Sequence, residues 1–467
     1  SNGIGGDAFA IIHHHGQLHG LNASGRSPAA WTPDRFADLE HFPTYGPDTV
    51  TVPGVVSAWS DAHHRFGRLP FADLFQDAIR YARDGFPVGP VTAAAWHNAS
   101  KRLVDRPDWS HTFLFDGNPP AEGQLIKLPH HARTLETIAT DHGESFYHGD
   151  LAHQIAAHVQ SQGGALAPSD LATHTNDWVA PLSLTAFGRT LHELPPNGQG
   201  IAALIALGIA ERLPLRDLDP DTPEAIHLQA EAIRLAFADL HAYNADPDHL
   251  TLNPAALLHP DYLDQRAALV NPHRASAPTA GVPTAGGTVY CCAADASGMM
   301  VSWIQSNFHG FGSGLVVPHT GIALQNRAAG FVLTPNHPNH AGPNKRPFHT
   351  IIPAFITRDG QPEAAFGVMG GSFQAQGHLQ VFLRRHLWNQ SPQQAADAPR
   401  WMITHDHHLA LEPSWPPVTT QTLTRLGHTT RTEPPTTFGG AQGIWKLPSH
   451  HYAAMSDWRK EGQAEAY

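Results

Sequence analysis

Cysteine is almost absent: the 467 residues contain two, Cys291 and Cys292, side by side. Adjacent cysteines rarely close a structural bridge, so a disulfide framework is excluded. The pair reads instead as small apolar residues buried in a strand. No run of basic residues occurs, and Lys+Arg 29 against Asp+Glu 41 gives a formal net charge of -12. That balance argues against nucleic acid as a partner. No stretch reaches the roughly 18 apolar residues of a membrane helix. An initiator methionine is also missing. The chain opens Ser1-Asn2-Gly3, inside what reads as a tight glycine turn, and so reads as a piece of a longer protein with any signal peptide out of view. The compartment therefore stays open.

What is present is globular. Hydrophobic residues make up 41%, and the length suffices for one large domain or two or three ordinary ones. Histidine is abundant at 35, with His13-His14-His15 and His405-Asp406-His407-His408 as clusters. Consecutive strand residues point to opposite faces, so the first cluster cannot ligate one ion. The second has an i, i+2 pair but no identifiable distant ligand. No metal or organic cofactor is expected, and the histidines read as compositional bias.

Gly3-Ile4-Gly5-Gly6-Asp7-Ala8 fits a dinucleotide-binding string, but Phe9 to Ile12 after it reads as a strand where a helix is required. A glycine turn feeding a strand is the better account, with a hairpin near Gly16. Arg26, between Gly25 and Ser27-Pro28, is either a surface arginine or a fork for a substrate carboxylate. Helical periodicity runs from Phe71 to Ala82 with a stop at Gly85, then around 133–142 and 151–162. Leu182 to Leu194 alternates like a strand. An apolar helix covers 201–210, and Thr222-Pro223-Glu224 starts another.

Ala275 to Gly287 has no periodicity and reads as a linker. Beyond it strands dominate: 288–294 and 299–306 as a hairpin, then 348–357 and 364–369, followed by Gly370-Gly371-Ser372 and a helix from Gln374. A glycine pair between strand and helix can aim two N–H groups at one point, as an oxyanion hole does, and is equally an ordinary turn. Helices gathered early and strands late suggest an α+β arrangement of packed sheets with helices outside.

Thr288 follows Gly286-Gly287 at the linker's end. A threonine hydroxyl needs a base to be nucleophilic. If the chain cuts itself before Thr288, the new α-amino group, titrating near 8, is that base.

These pieces together resemble the γ-glutamyltranspeptidase family of N-terminal-nucleophile hydrolases. The matching segments include Gly3 to Gly6, Gly25-Arg26, Thr51 to Gly54, Arg65 to Leu69, Phe146 to Gly149, Leu235 to Asp239, Thr288, Gly342 to Pro347, Gly370-Gly371 and Ala398 to Arg400. The resemblance implies a four-layer αββα sandwich made as a precursor. Self-cleavage would give 1–287, lacking an initial strand and helix, and 288–467, the two sharing one core. It implies that Thr288 is the nucleophile, that Gly370 and Gly371 form the oxyanion hole, and that Arg26 holds the substrate carboxylate. Asn307 matches an asparagine near the substrate amine, and Gln305 or Ser306 takes the place of a threonine beside the nucleophile. His349-Thr350 replaces the family's serine pair. The family's substrate-binding aspartate falls at about Gly330, where no acid is present, and the segment between Phe331 and Gly342 is too short for a lid. The expected activity is that of a γ-glutamyltransferase or glutathione hydrolase-like enzyme, hydrolysing or transferring γ-glutamyl or related carboxylate-bearing small-molecule amides through an acyl-threonine. A β-lactam side-chain acylase, an oxamate-like amide hydrolase and an uncleaved binding protein are the alternatives.

Overall fold

A computed structural model describes residues 3–276 and 288–467. The expected linker falls mostly on 277–287, outside the described residues. Eleven strands build two antiparallel sheets: β1 Asp7–His14, β2 Gln17–Asn22, β3 Asp177–Val179, β4 Leu182–Ala186, β5 Arg189–Glu193, β6 Thr288–Ala294, β7 Met300–Ser306, β8 Ala354–Arg358, β9 Gln361–Met369, β10 Gly440–Lys446 and β11 Tyr452–Ser456. The first sheet runs β3-β2-β1-β7-β6 and the second β11-β10-β9-β8-β5-β4.

The alternation of side chains along β1 sets the layers. Phe9 and Ile11 point inward and pack with Tyr290, Ile304, Phe355 and Ala365 between the sheets. Ala8, Ala10 and Ile12 point outward against helices α1 (Val55–Phe66), α3 (Pro129–Asp141) and α4 (Asp150–Ser161), while α2 (Pro90–Leu103) packs in a separate cluster with Phe311 and Val316. With both faces covered, β1 is buried nearly end to end. The second sheet repeats the plan. Its outward Leu191, Ile356, Phe366 and Val368 meet α5 (Gly200–Glu211), α6 (Pro223–Tyr243) and α7 (Phe373–His386). Helix α5 is apolar all round because it is enclosed by sheet and helices. The result is the four-layer αββα sandwich of an α+β protein. The sheets meet closely at Gly367, where a Cβ would come within 2.4 Å of the Tyr290 ring.

Three expectations need revision. Leu182 to Leu194 is a hairpin, because Phe187 and Gly188 both adopt positive φ and turn the chain in two residues. The strand expected from Phe348 begins at Ala354, since the His349 backbone instead bonds the Asn197–Gln199 loop. Cys291 is exposed, because β6 is an edge strand with an open outer face.

Candidate active site

Register places three polar side chains in one row. Asp7 on β1 pairs with Ser306 on β7, and Ser306 pairs with Thr288 on β6. Directly paired residues share a face, and by alternation this is the inner face, at one end of the sandwich. Thr288 Oγ1 donates to Ser306 Oγ at 3.0 Å, and Ser306 Oγ accepts the Phe308 N–H at 2.8 Å. The threonine hydroxyl is thus oriented by a neighbour that is itself held by backbone.

The facing sheet brings the glycine turn to the same end. Strand β9 finishes at Met369, and Gly370 and Gly371 take φ of +141° and +60° before α7 begins. A Cβ on Gly370 would lie 2.9 Å from the Gly439 Cα. Among the described residues no acceptor takes the N–H of either glycine. Gln199, fully buried, donates to the carbonyls of Gly371 at 2.8 Å and Thr350 at 2.5 Å, pinning the turn from beneath.

Two cavities meet at this turn. One, of about 380 Å³, is lined by Thr288, Tyr290, Met369 and Gly440 and by the C-terminal residues 460–465. The other, of about 370 Å³, is lined by Tyr45, Arg102, His309, Gly370, His405 and Arg431 among others. Consecutive residues Met369 and Gly370 divide them. Among the described residues no Asp or Glu lines the second cavity. Arg431 is balanced by Asp406 and Glu433, each at 3.0 Å, whereas Arg102 makes no ion pair among the described residues.

At the other end of the row the charges are sealed. Asp7 accepts N–H bonds from Gly54 and Gly25, an amide bond from Gln325, and His349 Nε2 at 3.1 Å. Burial pushes the Asp7 carboxyl up to about 7, with Arg327 opposing. Burial holds His349 well below its ordinary range, and the Arg327 charge acts the same way. Burial brings Arg327 down to about 9, opposed by Asp7. Arg327 Nη1 donates to Thr350 Oγ1 at 2.9 Å, and its guanidinium lies over the Phe308 ring.

Of the expected site residues, Thr288 and Ser306 are hydrogen-bonded to each other, Thr288 lines the first cavity, and Gly370, with Gly371 next to it, lines the second. Arg26, Asn307, His349 and Thr350 line neither cavity. The Arg26 guanidinium pairs with Asp246 at 2.7 Å and Asp248 at 3.1 Å and lines a separate small cavity with Asp170 and His174. His349 and Thr350 are turned inward because Asp7 and Arg327 need partners there. The Asn307 amide is spent on the Gly3 N–H and the Ala323 carbonyl. Sequence reasoning missed Asp7, Gln199, Arg102 and Arg327. A carboxylate opening the apolar run Asp7–Ile12, and an arginine three residues before the position where an acid was sought, were the available signals.

Comparison with known proteins places this geometry. Over 480 residues the chain is 35% identical to the oxamate amidohydrolase proenzyme of Klebsiella pneumoniae, covering 100% of this chain and 90% of that protein. It is 33% identical over 403 residues to the glutathione hydrolase-like YwrD proenzyme of Bacillus subtilis, covering 86% and 76%. The crystal structure of cephalosporin acylase from Bacillus halodurans superposes with a TM-score of 0.95 at 42% identity, covering 100% of this chain and 88% of that one. Residues 1–467 match the γ-glutamyltranspeptidase family throughout, and the chain belongs to that family of enzymes.

Proposed function

We propose that the protein is a self-processed amide hydrolase that uses Thr288 as nucleophile and acts on amides whose acyl group carries a carboxylate. The carrying observation is the Thr288–Ser306 hydroxyl pair at a cavity that Met369 also lines, the residue just before Gly370 and Gly371, whose N–H groups have no acceptor among the described residues. In the maturation step Thr288 Oγ attacks the Gly287 carbonyl. The peptide becomes an ester and the Thr288 amine is freed. Water then hydrolyses the ester, leaving 1–287 and 288–467 as two fragments of one precursor.

In turnover the Thr288 amine takes the hydroxyl proton as Oγ attacks the substrate carbonyl carbon. The oxyanion rests on the Gly370 and Gly371 N–H groups, where one such donor is typically worth about 3 kcal/mol. Collapse breaks the C–N bond, and the departing amine takes the proton back. Water, deprotonated by the same amine, resolves the acyl-threonine and regenerates the hydroxyl.

The substrate class is supported by charge. The cavity holding Gly370 offers Arg102, Arg431, His309 and His405 and no carboxylate. A γ-glutamyl ammonium would find no counter-ion on its lining, whereas a second carboxylate would. The oxamate activity named for one relative agrees with this preference, because oxamate is an amide whose acyl group carries a carboxylate.

The test has two stages. Intact mass of the purified protein should give two fragments with Thr288 at the new N-terminus, and a single chain for Thr288→Ala. The processed enzyme should then favour dicarboxylic acid monoamides over glutathione in kcat/KM. Equal efficiency on both would remove the substrate assignment and leave the nucleophile standing.

A further inference from the structure

Outside the cavities at Thr288 and Gly370, one side-chain cluster has unused donor capacity. We propose that His227, Glu231 and His428 form a site for one zinc-class divalent ion, joining a helix that precedes Thr288 in sequence to a turn that follows it.

His227 and Glu231 lie one helical turn apart on α6, so they share a face. His428 arrives from beyond the Pro417–Arg425 helix. One donor atom from each residue lies within 4.8 Å of the others. All three residues are buried, at 0%, 1% and 2% exposure. His227 Nε2 stands 2.8 Å from the Asn271 carbonyl, which only accepts. The neutral ring therefore carries its proton on Nε2 and directs a lone pair from Nδ1. A backbone carbonyl fixing the far nitrogen in this way is the usual support of a metal-bound histidine.

That lone pair faces His428 Nε2 at 2.7 Å. In the metal-free arrangement His428 donates across this gap. Its Nδ1 is then buried with no hydrogen-bond partner among the described residues. Shifting the ring proton to Nδ1 turns a second lone pair toward the same point, and a cation between the rings would resolve the repulsion. Two imidazole nitrogens on a tetrahedral zinc stand about 3.3 Å apart, so an opening of roughly half an ångström suffices. Glu231 supplies the third donor. One of its oxygens accepts the Ser276 N–H at 2.8 Å, and the other faces Arg234 Nε at 3.3 Å. Arg234 is the competing cation, and its Nη2 is also held by the His407 carbonyl at 3.1 Å. Two imidazoles and one carboxylate suit zinc, cobalt or nickel, and fit poorly with magnesium or calcium, which prefer oxygen donors throughout. The ion would also fix Asn271 and Ser276, the residues leading toward 277.

The test is zinc content and thermal stability of the full chain. Protein stripped with chelator and dialysed against zinc should retain about one ion per chain, with Tm raised by a few degrees. Glu231→Gln and His428→Gln should each lose that ion and that shift, while His15→Gln, in the exposed triplet, should keep both. Equal retention in wild type and both variants, or none in wild type, would overturn the site. If the variants do not fold, cobalt-loaded wild type decides: visible absorption bands of tetrahedral cobalt support the site, and their absence overturns it.

Discussion

Thr288 and Asp7 stand two strands apart in one row of the first sheet, on the same inner face, and their surroundings differ in kind. Strand spacing of about 4.8 Å separates them by roughly 10 Å. Thr288 lies on the edge strand and lines a cavity beside the Gly370 turn. Asp7 lies on the central strand, fully buried, with donors from Gly25, Gly54, Gln325 and His349. The edge end has, at the Gly370 turn, N–H groups without acceptors among the described residues, where the proposed mechanism places a substrate oxygen. The central end has both Asp7 carboxyl oxygens engaged by buried donors, which holds it in place. On the proposed mechanism, position in the sheet, more than residue chemistry, divides the row into a reacting half and a supporting half.

That division is broken most directly at the reacting end. Thr288→Ala should abolish fragment formation and lower amide hydrolysis by about 10⁴-fold or more, since removal of a nucleophile leaves only binding and oxyanion stabilisation. Intact mass and a product-release assay read both. Next is Gly370→Ala. Its Cβ would meet the Gly439 backbone, so the turn must shift and carry the N–H pair with it. A loss of about 10²-fold in kcat with KM little changed is expected for misplaced oxyanion donors. Unchanged kcat would deny the turn its role.

The supporting end answers to pH. The Asp7 carboxyl is raised to about 7 in the fold from an ordinary value of 3.8. Between these values the folded chain holds a proton that the unfolded chain has released, so Asp7 makes stability fall as pH rises from about 4 to 7. His349, held low, acts oppositely: its contribution is present above 6.5 and is lost as pH falls, when the unfolded histidine takes a proton. Asp7→Asn isolates the first effect. Urea unfolding at pH 5 and 7.5 should show the wild type losing about 2 kcal/mol relative to the variant over that interval. A difference independent of pH would mean that Asp7 is already ionised at pH 5.

Much of the reacting end was legible in the sequence, because its signals are local. A glycine pair closing a strand and a threonine opening one each declare themselves within a few residues. The periodicity of the helices gave the outer layers in the same way. The supporting end was not legible, because it is assembled across long separations: Asp7 meets His349, and Gln199 meets Gly371, only once both sheets are stacked. Arg26 shows the same dependence on distant residues. Its local context left open a surface arginine or a fork for a carboxylate, and the carboxylate paired with it in this structure is Asp246, from elsewhere in the chain. Cys291 failed for a topological reason, since edge and central strands can have the same sequence pattern.

The smallest expected effect concerns the substrate side of the reacting end. Arg102, at the last turn of α2, lines the Gly370 cavity and has no carboxylate partner among the described residues. Its neighbour across that cavity, Arg431, shares its charge with Asp406 and Glu433. A substrate carboxylate entering this cavity therefore gains most from Arg102. The residue is exposed, and water weakens the contact relative to a buried pair. Arg102→Ala should lower kcat/KM on a dicarboxylic acid monoamide by about tenfold, the lower end of what a charge-assisted hydrogen bond supplies. Activity on the amide of the matching monocarboxylic acid should change less than twofold, and Arg102→Lys should recover part of the loss. Added salt should narrow the gap between the two substrates in wild type and leave the variant nearly unaffected. Equal losses on both substrates would mean that Arg102 supports the cavity wall, and the carboxylate preference would then have to come from His309 or His405.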